Sequence, residues 1–215
     1  MEVLPLVLTG GWASGISAYA TVLILGIVGR TGLADTPELL QRTDVLVVAG
    51  VLTAIELVAD KIAWLDSGWD AVNTFVRPVV AAALGAVLAG EATTIEQAGA
   101  AALAAAIALL THGTKAGIRL GVNASPEPVT NVAVSTAEDV SVAGVLLLAT
   151  QAPWLAAIIA MLLLATGIGL VVWLWSRVRR ALRRLGGGTP ATAGATAAPS
   201  RGPDLSPQAP RPSHD

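Results

Sequence analysis

The chain has 215 residues, of which 54% are hydrophobic, only 4% aromatic and 13% charged, with a mean hydropathy of +0.69. A formal net charge of −2 offers no basic footprint for nucleic acid, and the lack of cysteine excludes disulfides, thiolate metal sites and cysteine nucleophiles. Ala, Leu, Val and Gly dominate, which is the composition of packed membrane helices rather than of a soluble core. The expected class is all-α: a polytopic membrane bundle of about six transmembrane spans, followed by a disordered tail.

The chain opens Met1-Glu2-Val3 without a basic leader region, so its first span is expected to be retained. That span, 11–28, is uncharged and rich in small residues. Gly11-x-x-x-Gly15 and Ser14-x-x-x-Ala18 are spacings that let helices approach closely. A second reading of the same stretch is a broken, substrate-lining helix at Ser14-Gly15-Ile16-Ser17. The apolar run from Val45 to Ala59 is shorter than the ~20 residues that cross a ~30 Å hydrocarbon core. The second span is therefore expected over 45–65, which takes in Glu56, Asp60 and Lys61. The same arithmetic places Arg77 inside a span at 71–90, His112 and Lys115 inside 98–118, and Glu138 and Asp139 inside 131–150.

Residues 66–77 read as an amphipathic helix, lying at the inner surface or re-entering the membrane. Asp66, Asp70, Asn73 and Arg77 share one face, opposite Trp69, Val72 and Val76. The last span, 154–175, is bracketed by Trp154 and the pair Trp173/Trp175, roughly 32 Å apart at helical rise. Arg177, Arg179, Arg180, Arg183 and Arg184 follow it, which puts that end in the cytoplasm by the positive-inside rule and, with six spans, the N-terminus too. Residues 186–215 are Pro-, Ala- and Gly-rich and read as a disordered cytoplasmic tail. A helix–polar turn–helix pattern recurs around Asp60-Lys61 and Thr114-Lys115 and suggests an internal duplication.

Ionisable side chains at membrane depth are costly and mark functional interiors. Glu56 and Asp60 share a helix face at i, i+4; His112, Lys115 and Arg119 share one at i, i+3, i+7; Asn131, Ser135 and Glu138 form another. Together with Glu127 and Asp139 the acids outnumber Lys61, Arg77, Lys115 and Arg119, which favours a cation or a proton as guest. The candidate metal ligands are Glu56, Asp60, Glu138 and Asp139, with Asn131 as a neutral ligand. The alternative is that these groups only pair with one another and hold the helices together. Gly121 and Asn123 suit a helix end, and Ser125-Pro126 suits the start of the next one. Such a start beside Lys115 and Arg119 would attract an anion such as a phosphate head group; the plain alternative is a tight turn.

Several of these segments together resemble a known family: Ser14-Gly15-Ile16-Ser17-Ala18-Tyr19, Glu56-Leu57-Val58-Ala59-Asp60-Lys61, Asp66-Ser67-Gly68-Trp69-Asp70, Arg77-Pro78, His112 with Lys115 and Arg119, Asn123 to Pro128, Asn131, and Glu138-Asp139. Over about 10–185 the chain is similar to the bacterial membrane proteins called domain of unknown function 4126. The resemblance implies a multi-span bacterial inner-membrane protein and no particular activity. Glu56-x-x-x-Asp60-Lys61 is also similar to a Glu-x-Gly-Asp-Lys signature of manganese/calcium–proton antiporters, with the acids one residue further apart and Ala59 in place of Gly. Pro126-Glu127 is similar to the Pro-Glu at helix breaks of calcium–cation antiporters.

No enzyme motif is present: there is no HExxH, GxSxG or phosphate-loop pattern, and His112 lacks a nucleophile at a recognisable spacing. His112 reads either as a proton shuttle or as a hydrogen-bonded packing residue. The expected function is a non-enzymatic secondary transporter or channel for a cation or a proton-coupled small solute, without cofactor. The alternatives are lipid head-group binding or handling, and a structural scaffold. The expected partners are membrane lipids and the transported solute, with self-association left open.

Overall fold

Helices account for the whole of the regular structure among the described residues, 3–123 and 128–186, of this computed structural model. In chain order they are α1 (Val3–Ile16), α2 (Ala18–Arg30), α3 (Glu38–Gln41), α4 (Thr43–Ala59), α5 (Ala63–Leu88), α6 (Thr94–Asn123), α7 (Pro128–Gln151) and α8 (Pro153–Gly186). Residues Met1–Arg177 form one compact unit and Val178–Asp215 a second, whose described part is the end of α8. The tail beyond 186 lies outside the described residues.

Four helical stretches are long and apolar enough to cross a membrane: Trp64–Leu88, Thr94–Val122, Val129–Gln151 and Pro153–Arg180. The exposed faces of the bundle are apolar. Val47, Val48, Val51, Ile55 and Val58 line the outside of α4, and Trp64, Val72, Phe75 and Val79 the outside of α5. Charged side chains sit inside instead. This is the inverse of a soluble amphipathic fold and suits a hydrocarbon solvent, so the chain is a membrane protein.

The segment expected as one span at 11–28 is two helices. They have 14 and 13 residues, each about 20 Å long and too short to cross alone. Ser17 divides them with an extended backbone (φ −147°, ψ 102°). In the expected 45–65 span the helix α4 ends at Ala59, because Asp60–Ile62 tighten into a turn in which Lys61 N–H bonds Val58 O and Ile62 N–H bonds Ala59 O. The amphipathic stretch 66–77 is not a separate surface or re-entrant helix. It is continuous with the following span in the 26-residue α5, which carries Pro78 within it. Its polar stripe turns inward because the bundle interior supplies partners that lipid cannot. Asp60-Lys61 forms the turn between α4 and α5, whereas Thr114-Lys115 lies within α6.

α1 is buried almost all round and forms the axis of the bundle, packed on α5, α6 and α7. Small residues make that approach, and the approach of α5 to α6, close. A Cβ on Gly11 would lie 2.9 Å from Ala104 O, and one on Gly85 of α5 2.6 Å from Ala100 O. Trp12, Ile16, Leu84, Ile107, Val142 and Leu146 fill the core around these contacts. Two helices stop at left-handed glycines, Gly32 (φ 74°) after α2 and Gly90 (φ 60°) after α5, a conformation other residues adopt only with strain.

α6 begins with a reciprocal cap. Thr93 N–H donates to the Glu96 carboxylate at 2.9 Å, and Glu96 N–H donates to Thr93 Oγ1 at 3.4 Å. Thr93→Ala is expected to lower stability by about 1 kcal/mol through loss of the hydroxyl acceptor, read as a fall in melting temperature in detergent.

Candidate functional site

The interior charges converge where α1 stops. In an unbroken helix Ala20 N–H would bond Ile16 O; here it bonds Ser17 Oγ at 3.2 Å. The carbonyls thus released are met by cations from two other helices. Lys115 Nζ donates to Ile16 O at 3.2 Å, and Arg77 Nη1 to Gly15 O at 3.4 Å. On the other side of the break Ser17 Oγ donates to Glu56 Oε2. Cations therefore meet the carbonyl end of α1, and a carboxylate meets the N–H end of α2, the arrangement that helix dipoles favour.

Around the break the charges fall into two connected sets. In the first, Arg77 Nη2 bonds Glu56 Oε1 at 2.7 Å, while Nη1 lies 3.2 Å from Asp70 Oδ1 and 2.5 Å from His112 Nδ1. The other ring nitrogen of His112 lies 2.9 Å from Thr74 Oγ1. In the second, Lys115 bonds Asp60 Oδ2 at 2.7 Å and Arg119 bonds Glu138 Oε2 at 2.7 Å. Arg119 also donates to Asp60 O at 2.9 Å and Asn131 Oδ1 at 2.8 Å, and lies 3.7 Å from Asp66. Asn131 returns a bond to Asp60 O at 3.2 Å. Asp60, the last residue of the α4 end, is thereby gripped from α6 and α7 together.

The two acids of the i, i+4 pair do not act as one site: Glu56 belongs to the Arg77 set and Asp60 to the Lys115–Arg119 set. Lys61 and Asp139 stand apart from the buried sets, 3.9 Å from each other with side chains 38% and 29% exposed. Among the described residues no three carboxylate or histidine side chains gather as a metal-binding group. Of the candidate metal ligands, Glu56, Asp60 and Glu138 face cations instead. Glu127, the Ser125 helix start and the side chain of Asn123 lie outside the described residues.

Two cavities border the network. One, of about 220 Å³ between α5 and α6, is lined by Asp66, Asp70, Thr74, His112 and Arg119. The other, of about 140 Å³, is lined by Lys115 and Glu138 with Trp12, Ile16 and Leu164. The face shared by His112, Lys115 and Arg119 is thus divided, with Lys115 at one cavity and His112 and Arg119 at the other. Asp60 Oδ1, Asn73 Oδ1, Arg77 Nε, Arg119 Nε and Ser135 Oγ are buried without a hydrogen-bond partner, a density of unmet polar atoms that packing alone does not favour.

Sequence reasoning singled out the Ser17 break but did not assign Ser17 or Thr74 to the site. A serine ending a run of small residues inside an uncharged span was the signal for Ser17; nothing in the spacing of Thr74 distinguishes it from an ordinary helix residue. The family model described as Domain of unknown function (DUF4126) matches residues 4–176. No curated protein and no solved structure matches the chain.

Proposed function

Because the chain belongs to the family described as Domain of unknown function (DUF4126), a description that names no activity, its function has to be sought in its own interior, and we propose that it is a secondary transporter for a cation or a proton-coupled small solute. The observation that carries this reading is the broken helix α1–α2, whose two ends are met by Arg77, Lys115 and Glu56 inside the bundle. Discontinuous helices with charges at their exposed ends are a recurrent way to hold ions within a membrane. Ion pairs spread over α4, α5, α6 and α7 can exchange partners when those helices move, and protonation of a carboxylate is one way to release its cation. The role is non-enzymatic. The cytoplasmic placement of both termini belongs to the same proposal, with the arginines after Trp175 as its support.

A structural reading has one observation in its favour: Arg77, Lys115 and Arg119 each have a carboxylate at 2.7 Å, as a static clamp would. The head-group reading has less, since Lys115 and Arg119, the cations a phosphate would need, are engaged by Asp60 and Glu138.

The test is flux in proteoliposomes with a trapped pH-sensitive dye, under imposed gradients of protons, Na⁺, K⁺, Mg²⁺, Ca²⁺ and small organic ammonium ions. Transport predicts a dye response to at least one gradient that is lost in Asp60→Asn and Glu138→Gln proteins still eluting as monodisperse species. Wild-type vesicles as tight as protein-free ones under every gradient would remove the proposal. A fall in melting temperature in each variant, with no flux in any protein, is the signature of the clamp.

A further inference from the structure

The neutral ring of His112 has one lone pair to offer, and Arg77 occupies it. A guanidinium can only donate, so Nδ1, 2.5 Å from Arg77 Nη1, carries no proton. The ring then holds its hydrogen on Nε2, 2.9 Å from Thr74 Oγ1. Thr74 accepts it, because its own hydroxyl hydrogen goes to Asp70 O at 2.9 Å. Every donor and acceptor from Arg77 through His112 to Thr74 is thereby fixed. His112 is buried, yet it lines the cavity of about 220 Å³ between α5 and α6, whose rim includes the exposed Ser67, Ala71 and Leu120. The ring is therefore within reach of protons from outside the bundle. The charges around it are mixed. Arg77 and Asp70 face it from α5, with Asp66 on the same cavity wall, and Lys115 and Arg119 follow it on α6. Glu56 of α4 meets Arg77, and Glu138 of α7 meets Lys115 and Arg119. α1 has no charged side chain and presents Gly15 O to Arg77, and α8 meets α6 through the uncharged Val171 and Leu174.

We infer that His112 is a proton-binding site in which a proton and Arg77 compete for the Nδ1 lone pair. The inference deepens the transport reading, on which the role of His112 as proton carrier rests. When Nδ1 takes a proton from solvent, the cluster gains one positive charge and Arg77 Nη1 loses its acceptor. Two cations then face each other where one hydrogen bond stood, so the guanidinium end has to move. Asp70 Oδ1, already 3.2 Å from that nitrogen, is at hand to hold the displaced end. The same Nη1 donates to Gly15 O at 3.4 Å, so its displacement loosens a bond at the helix break. Proton uptake at His112 is thereby linked to the junction of α1 and α2.

The experiment is nitrogen-15 NMR of the full chain in detergent, labelled at histidine and arginine. His112 and His214 are its two histidines, so His214→Gln leaves a single imidazole to observe. At about pH 8 the ring is expected to show a bare Nδ1 and a protonated Nε2. As the pH is lowered, Nδ1 is expected to gain a proton while the protein stays folded, and one arginine side-chain signal is expected to shift with the same midpoint. His112→Asn offers Arg77 an amide oxygen that accepts but takes up no proton, and there the arginine signal is expected to stay still. Ring and arginine are both read in the His112 protein, so the outcome does not depend on the folding of that variant. A protonated Nδ1 at the starting pH, a ring that stays neutral until the protein unfolds, or ring protonation with every arginine signal unmoved would each overturn the assignment. Coupled titration in a protein whose vesicles stay tight keeps the proton site and removes the transport reading. Flux that continues undiminished in folded His112→Asn keeps transport and overturns His112 as its carrier.

Discussion

Arg77→Gln is expected to cost about 3–5 kcal/mol of stability, the usual penalty for breaking a buried ion pair from one side. Arg77 is 0% exposed and serves Glu56, Asp70, His112 and Gly15 O at once. Its removal leaves Glu56 buried without its cation and Gly15 O at the helix break without a donor. Glu56→Gln introduced into the Arg77→Gln protein should recover part of the loss, because the stranded charge goes with it. Arg77→Lys should fall between, since one ammonium keeps the charge but cannot reach Glu56 and the Nη1 partners in the same geometry. Melting temperatures in one detergent, measured for the four proteins, decide the matter. A drop in Arg77→Gln no larger than that of a surface substitution would show that the pair carries little of the fold.

The second large effect is expected from a single methyl group. Gly15→Ala would place a Cβ 2.5 Å from Thr111 Cβ and 2.6 Å from Ala108 O. The carbonyl is helix backbone and cannot turn aside, so α1 has to move away from α6. Overpacking of this kind costs about 3 kcal/mol at the upper end of its range. The same shift draws Gly15 O and Ile16 O away from Arg77 and Lys115, so the hydrogen bonds that cover the helix break should be lost along with stability. Gly144→Ala is the control: nothing lies within 4 Å of its added Cβ, and the better helix former should raise stability by about 0.5–1 kcal/mol. Equal melting temperatures for Gly15→Ala and wild type would refute the close packing of α1 on α6.

Much of the bundle was legible in the chain itself. Runs of Val, Leu and Ala too short to cross alone drew Glu56, Arg77, His112 and Glu138 into the expected spans, and the structure turns these side chains toward the bundle interior. The stripe Asp66, Asp70, Asn73 and Arg77 was read at helical spacing and faces one way in α5. Its direction was not legible, because amphipathic periodicity has no sign: a polar face suits water at a surface or partners in an interior equally well. Only the positions of α4 and α6 beside it decide between them.

The sequence by itself determined that this is an all-helical membrane protein with ionisable groups inside, because hydropathy and helical period are local properties. Tertiary structure decided which charge meets which. Lys115 reaches Ile16 O across 99 residues of chain, and Arg119 reaches Asp60 across 59. It also decided that Ser17 breaks the first span, since the released carbonyls of Gly15 and Ile16 are tolerable only where Arg77 and Lys115 arrive to donate to them. Pairing at such separations depends on how helices pack: the Gly11-x-x-x-Gly15 spacing marks a face for close approach, but no local pattern names Ala108 of α6 as what it meets.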